Sequence, residues 1–301
     1  MVMEGILTRL ASGEVLVCDG GMGTMLMERG LPPGACPESF NLEQPQVLED
    51  IARQYVDAGA DIITANTFGG SPLKLALFGL ADRAAEINAR AVWVARKAAG
   101  GRACVGASLG PSGKLLKPYG DADPEEVYAG YELQARAVIG AGADAILMET
   151  MIDLAEAVLA VKAAKAASPA IPVTATMTFD RTPRGFFTIM GVSVEKACAG
   201  LAEAGADVIG SNCGNGIEAM VEIAREMRGL SRLPLLIQPN AGLPQSGPGG
   251  TLSYPETPAF MAGRVGALLE AGVSIIGGCC GTTPEHIRAF RGAVGEHLRG
   301  A

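Results

Sequence analysis

The feature that most constrains the fold is a short phrase that occurs four times. Asp57-Ala58-Gly59-Ala60-Asp61, Gly140-Ala141-Gly142-Ala143-Asp144, Glu203-Ala204-Gly205-Ala206-Asp207 and Glu270-Ala271-Gly272-Val273-Ser274 each join the end of a helical stretch to the start of an apolar run. Glycine in the third place fits a helix C-terminus, where it takes a left-handed conformation that costs other residues energy. Successive copies lie 83, 63 and 67 residues apart, which leaves room for two strand–helix units in each interval. A chain written this way alternates strand and helix from end to end.

The rest of the sequence fills in those units. Strands are expected at Val15 to Cys18, Asp61 to Thr64, Ala103 to Ala107, Ala145 to Met148, Val173 to Met177, Val208 to Gly210, Leu235 to Ile237 and Ser274 to Ile276. Helices are expected at Pro45 to Ala58, in a long stretch ending near Ala99, and at Pro124 to Ala141, Leu154 to Ala166, Val194 to Ala204, Ile217 to Arg228, Thr257 to Ala271 and Pro284 to Leu298. The strands read as near-continuous apolar runs, as strands buried on both faces do. The expected fold class is α/β, a single (β/α)8 TIM barrel over residues 1–301. An open doubly wound sheet is the alternative, but Gly20-Gly21-Met22-Gly23 has no GxGxxG dinucleotide fingerprint.

Composition narrows the function. Net charge is −8 with scattered basic residues, which gives a nucleic acid nothing to bind. No apolar run approaches a membrane span, and Met1 to Arg9 lacks a basic-then-apolar leader, so the expected setting is cytoplasmic. Seven cysteines, an odd number in a chain of this length, suit free thiols or metal ligands better than a disulfide set. With only two histidines, any metal must rely on sulfur.

In a barrel, chemistry belongs at the carboxyl ends of the strands. That rim would carry Asp19, Asn66 and Thr67, Ser108, Glu149 and Thr150, Thr176 and Thr178, Asn212 and Cys213, Gln238 and Asn240, and Cys279 and Cys280. Three thiols thereby converge: Cys213 after the sixth strand, and Cys279 and Cys280 in Gly277-Gly278-Cys279-Cys280-Gly281-Thr282-Thr283-Pro284 after the eighth. Three thiolates on Zn²⁺ leave one tetrahedral position open, the pattern of a catalytic site, and soft sulfur favours zinc over magnesium or manganese. Such a site suits an incoming thiol, which ordinarily has a pKa of about 8.5 and reacts as thiolate. The flanking glycines would admit that sulfur. Asp19-Gly20-Gly21-Met22-Gly23-Thr24 reads as a turn whose N–H groups can receive a carboxylate. Glu149, in an apolar strand, needs a cation, from substrate or from an internal Arg or Lys. Asn240 can fill the open metal position or serve as a turn residue. Cys18, Cys104 and Cys198 read as buried small hydrophobes, Cys36 is undecided, and His286 reads as structural. Together these describe a pocket for an amino acid that bears a thiol.

These same residues carry a family resemblance. Asp19 to Thr24, Ala65-Asn66-Thr67-Phe68, Ser108-Leu109-Gly110-Pro111, Met148-Glu149-Thr150, Ser211-Asn212-Cys213-Gly214, Gln238-Pro239-Asn240-Ala241-Gly242 and Gly277 to Pro284 resemble the homocysteine S-methyltransferase family nearly end to end. Gly23-Thr24-Met25-Leu26 and Asn240-Ala241-Gly242-Leu243-Pro244 lean toward the homocysteine-binding barrel of cobalamin-dependent methionine synthases. The resemblance implies zinc on Cys213, Cys279 and Cys280, with homocysteine sulfur as the fourth ligand in turnover and Asn240 in its place at rest. It also implies that the Asp19–Thr24 loop takes the substrate carboxylate, and that Glu149 takes the ammonium with help from Ser108, Asn66 and Thr67. Gly21 stands where alanine is common, a missing methyl expected to be tolerated. No folate-binding, corrinoid-binding or activation module is expected in these residues. The expected reaction is methyl transfer to L-homocysteine giving L-methionine, from a methylcobamide on a separate corrinoid protein. The alternatives are S-methylmethionine or betaine as direct donor, a non-catalytic homocysteine or zinc binder, and a metal-free barrel enzyme.

Overall fold

The computed structural model describes residues 4–246 and 252–300. The start of the Met1–Arg9 segment that was read for a leader, and the ends of the 1–301 span, lie outside the described residues. Eight parallel strands form the centre: β1 Leu16–Val17, β2 Ile62–Ala65, β3 Cys104–Leu109, β4 Ala145–Met151, β5 Val173–Met177, β6 Val208–Asn212, β7 Leu235–Gln238 and β8 Ile275–Ile276. Each pairs in parallel with its sequence neighbour, and β8 pairs with β1. A parallel bridge between Cys18 and Ile62 closes the ring, supported by the Asp19 N–H on the Ile62 carbonyl. The expected (β/α)8 barrel is the observed fold.

The four-fold phrase now has a structural reason. Gly59, Gly142, Gly205 and Gly272 all have positive φ, from +79° to +99°, where a side chain would cost about 1–2 kcal/mol. The aspartates that follow link the strands in pairs. Asp61 accepts the N–H of Val17 through its carboxylate (2.8 Å) and returns its own N–H to the Val17 carbonyl. Asp144 does the same to Val105, and Asp207 to Val173. Each even strand is thus fastened to the odd strand before it, which sets the two-unit period. In the fourth copy Ser274 keeps only the main-chain half, its N–H donating to Leu235.

Helices cover the outside: Pro45–Asp57, Ala84–Ala99, Pro124–Gly140, Leu154–Ala167, Val194–Ala204, Ile217–Leu230 and Pro284–Gly300. The stretch expected as one helix over Thr257 to Ala271 is two, Pro258–Ala262 and Val265–Glu270, interrupted at Gly263. A short helix, Ile6–Ala11, packs Ile6, Leu7 and Leu10 against inward-facing residues of the strands, among them Leu16, Cys18 and Cys104. It plugs the end of the barrel away from the site. Cys18, Cys104 and Cys198 are buried apolar neighbours, as expected. No helix of the described residues is long and apolar enough to cross a membrane.

Candidate active site

The three rim thiols meet. Cys213 directly follows β6, Cys279 and Cys280 lie just beyond β8, and their sulfur atoms all lie within 4.8 Å of one another. Main-chain bonds lock the arrangement: Cys213 N–H donates to Gln238, Cys279 N–H to Pro239, and Cys280 N–H to the Asn240 side-chain oxygen at 3.1 Å. Cys213 has φ +60°, a conformation that costs a non-glycine residue on the order of 1–3 kcal/mol and persists only where neighbours enforce it. Hydrogen bonds from Cys279 and then Cys280 to its sulfur pull the Cys213 thiol down to about 3. The same contact with Cys213 raises Cys280 to about 11 and also raises Cys279. Crowded this closely, each sulfur that ionises resists the ionisation of the next, because like charges repel at short range. A cation that accepts three sulfurs removes that resistance, so the donor set fits a soft metal ion.

A cavity of about 250 Å³ opens beside these sulfurs. Glu149 lines the same cavity. The β4–β5 register shifts between Met148 and Met151, a bulge that takes Glu149 and Thr150 out of the ladder, as bulges near functional sites commonly do. Ser108 Oγ donates to Glu149 Oε2 at 2.8 Å, whereas the buried Oε1 has no partner. Burial is the main cause that pushes the carboxyl up to about 7; Ser108 opposes it, and the charges of Asp19 and Cys213 add to it. Among the described residues no Arg or Lys answers this carboxylate, so the internal-cation reading is not what the fold provides.

The first loop differs from a simple turn. Met22 begins a helix, Met22–Glu28, with Gly21 as its N-cap. The Gly21 N–H is taken by Thr282. Met22, Gly23 and Thr24 fall in the first turn, where N–H groups lack intrahelical acceptors, and they line the cavity. A methyl on Gly21 would lie 2.6 Å from Thr24 Oγ1 and 2.7 Å from the Cys279 carbonyl. The absent methyl is therefore a fit, not a tolerated loss. The glycines beside the thiols also serve packing more than substrate entry: a Cβ on Gly278 would meet Thr282 Oγ1 at 2.2 Å.

Other expected residues sort by geometry. Asp19 lines the cavity, but its carboxylate accepts the Thr64 N–H and hydroxyl, and burial raises it to about 6. Asn66 also lines the cavity while its amide braces the Pro37 carbonyl and Asn41. Thr67 does not reach the pocket; it is fully buried, with its hydroxyl on the Ser108 carbonyl at 2.6 Å. It braces the strand that carries Ser108. Asn240 is buried with its Oδ1 on the Cys280 N–H, and its side chain also lies beside the Cys213 sulfur. Cys36 is a buried thiol that donates to Glu38. His286 is structural: its Nδ1 accepts the Thr283 N–H, which leaves the proton on Nε2 for the Glu256 carbonyl.

Glu38 and Phe68 line the pocket without having been expected there, beside Gln238 of the expected rim. Gln238 was a visible strand-end residue, and its buried Oε1 is unpartnered. Glu38 arrives on the short Pro37–Ser39 turn and accepts the Gly69 N–H at 2.6 Å; no local pattern marks it.

Residues 16–294 match the family model described as homocysteine S-methyltransferase. The methionine synthase of Mycobacterium leprae is 36% identical over 93% of this chain, and that of Mycobacterium tuberculosis is 36% identical over 96%. The chain spans about a quarter of the length of these relatives, 24% and 25%. Among solved structures, the homocysteine methyltransferase MmuM from Escherichia coli in its metallated form superposes with a TM-score of 0.79 at 23% identity, covering 95% of this chain and 98% of that one. Its oxidized form gives 0.80 at 24% identity, covering 96% and 99%. By its matched span and its relatives, the chain belongs to the homocysteine S-methyltransferase family.

Proposed function

We propose that this barrel transfers a methyl group to the thiol of L-homocysteine, giving L-methionine. The donor is a methylcobamide carried on a separate corrinoid protein, and the setting is cytoplasmic. The supporting observation is one cavity lined both by a triple-sulfur cluster and by Glu149, whose buried Oε1 has no partner. An α-amino acid with a terminal thiol is complementary to both. The span proposed as the homocysteine-binding unit is 1–301.

Cys213, Cys279 and Cys280 would hold Zn²⁺. When bound there, the ion keeps an incoming thiol deprotonated and so nucleophilic at neutral pH. The chain's own residues do the rest. Ser108 occupies one Glu149 oxygen and leaves Oε1 to receive the substrate ammonium. The first turn after Gly21 offers N–H groups and the positive end of a helix to the carboxylate. Asp19, tied to Thr64, holds that loop against β2, and Asn66 holds the wall beside it. Two fixed ends orient the thiol toward the cavity mouth, a positioning effect that raises the rate without any new bond. Asn240 fixes the Cys280 backbone and is the neighbour proposed to fill the metal's fourth position at rest.

The test is a donor screen. Protein reconstituted with stoichiometric zinc is given homocysteine with methylcobalamin, S-methylmethionine or betaine, and methionine is quantified. The expected result is turnover with methylcobalamin. Turnover only with S-methylmethionine or betaine moves the chain to a direct-donor enzyme. Tight homocysteine binding without methionine from any donor makes it a binding protein.

A further inference from the structure

Two non-glycine residues among those described have positive φ, Thr150 (+59°) and Cys213 (+60°). Both are in the site, Thr150 in β4 and Cys213 just after β6, and Asn212, the last residue of β6, is bonded to the first and precedes the second. A β-branched residue in that conformation is a true outlier, so something must hold Thr150 there. Asn212 is 1% exposed and every polar atom of its side chain is used. Its Oδ1 accepts the Thr150 N–H at 2.7 Å and the Thr176 hydroxyl at 2.7 Å. Its Nδ2 donates to Thr150 Oγ1 at 2.9 Å and to Cys279 Sγ at 3.8 Å. Its carbonyl takes the Thr178 hydroxyl at 2.9 Å. One amide therefore grips both the N–H and the hydroxyl of the residue beside Glu149, and with the same nitrogen reaches a sulfur of the cluster.

We infer that Asn212 is a positioning residue that fixes the separation between the amine-receiving carboxylate of Glu149 and the sulfur cluster, and so selects the thiol amino acid by the length of its side chain. The bulge at Glu149 and Thr150 lies outside the β4–β5 ladder, so the strand pairing alone does not aim it. The two-point grip of Asn212 on Thr150 does. Without the grip, Thr150 relaxes toward an ordinary conformation and the neighbouring carboxylate loses its aim. The sulfur cluster itself survives, because Cys213, Cys279 and Cys280 are each held by their own main-chain bonds. Asn212, which also lines the cavity, acts here through its hold on Thr150 and so on Glu149. The inference rests on the homocysteine reading given above.

The test is binding, measured by calorimetry on the zinc-loaded full chain, for three probes: L-homocysteine, L-cysteine (one methylene shorter) and 4-sulfanylbutanoate (homocysteine without its amine). The wild type is expected to prefer homocysteine over both others. In Asn212→Ala that preference falls at least tenfold for each comparison, while zinc content and affinity for 4-sulfanylbutanoate change less than threefold. Asn212→Ser, which leaves a hydroxyl in the buried polar network, is measured beside it as the variant more certain to fold, with the same outcome expected. Asn212→Ala combined with Glu149→Gln should lose no more homocysteine affinity than Glu149→Gln alone. Equal weakening of all three probes, retained preference or additive losses would each overturn the inference and mark Asn212 as structural only. Absence of any homocysteine preference in the wild type sinks the homocysteine reading itself, and is distinguishable because it needs no variant to appear.

Discussion

The two ends of this barrel treat polar groups in opposite ways. At the amino end, Asp61, Asp144 and Asp207 are answered on every side: by the strand before, and by Arg9 and Arg291, Arg96, and Lys165 respectively. An apolar helix then seals the barrel floor. At the carboxyl end, Glu149 Oε1 and Gln238 Oε1 are buried and unanswered, Thr150 and Cys213 are held in costly conformations, and three thiols crowd within 4.8 Å. At the first end these aspartates are spent on the fold; at the second, Glu149 and Gln238 each keep an oxygen without a partner in the chain. The difference teaches that function here can be read from incompleteness, and it can be broken from either side.

The largest effect should come from the sulfur cluster. Cys213→Ser removes the thiol that the other two lean on, so bound zinc should fall from stoichiometric to near zero. Methyl transfer should drop by at least about a hundredfold, beyond the range seen for supporting residues of a metal site. Because Cys213 is not part of the apolar core, thermal unfolding of the two proteins stripped of metal should hardly differ. Metal analysis together with a melting curve checks both halves. Full zinc retention in the variant would remove Cys213 from the donor set.

Glu149→Gln comes next. Exchanging a charged acceptor for a neutral one at the ammonium should raise the homocysteine KM about 10- to 100-fold, the range of a hydrogen bond to a charged group, with zinc content unchanged. The pH dependence carries a sign. Burial raises Glu149 from the usual carboxyl range to about 7, so in the free protein it is protonated below that value and an arriving ammonium must expel the proton. Homocysteine affinity should therefore increase from pH 5 to pH 7, by up to about tenfold per unit, and level off above. The difference in slope between wild type and Glu149→Gln isolates this group from the substrate thiol. Stability runs the other way: the raised pKa stabilises the free protein below the ordinary carboxyl pKa, and that contribution is lost as pH rises toward 7. At pH 8 the glutamine variant should then be the more stable of the two. A flat affinity profile in the wild type would mean that the ammonium is received elsewhere.

How much of this was legible follows the same division. Strand and helix alternation, the capping glycines and the three thiols are written locally, in periodicity and in residue type, and they carried over: Val173–Met177 and Val194–Ala204 match residue for residue. The role of the Asp in the repeated phrase was not legible, because its partner is a main-chain N–H 34 to 44 residues away. Nor was the placement of Thr67 away from the cavity. A hydroxyl at a strand end reads the same whether it faces substrate or the carbonyl of the next strand, and only the β2–β3 register decides. The bulge that aims Glu149 has no glycine or proline to announce it; it depends on Asn212 from two strands further round the ring. Glu38 enters the pocket from a turn whose position is fixed by the Gly69 N–H. Residues placed by tertiary contacts alone were the ones missed.

The smallest effect tests the complete face. Asp207 accepts the Val173 N–H at 2.8 Å and pairs with Lys165 at 2.6 Å, both side chains about a quarter exposed. Asp207→Ala leaves the Val173 N–H and the Lys165 ammonium each short of a partner. The hydrogen bond to a charged group would cost up to about 3 kcal/mol if fully buried, and partial exposure of the ion pair reduces that, so a loss of about 1–2 kcal/mol is expected. The effect should be confined to stability. Homocysteine affinity, zinc content and turnover should match the wild type, since β5 and β6 remain paired over four residues between this end and the rim. Denaturant unfolding and steady-state kinetics on the same preparation measure both. If the variant instead lost turnover with its stability intact, the two ends of the barrel would be coupled, and the separation between a finished floor and an unfinished rim would have to be given up.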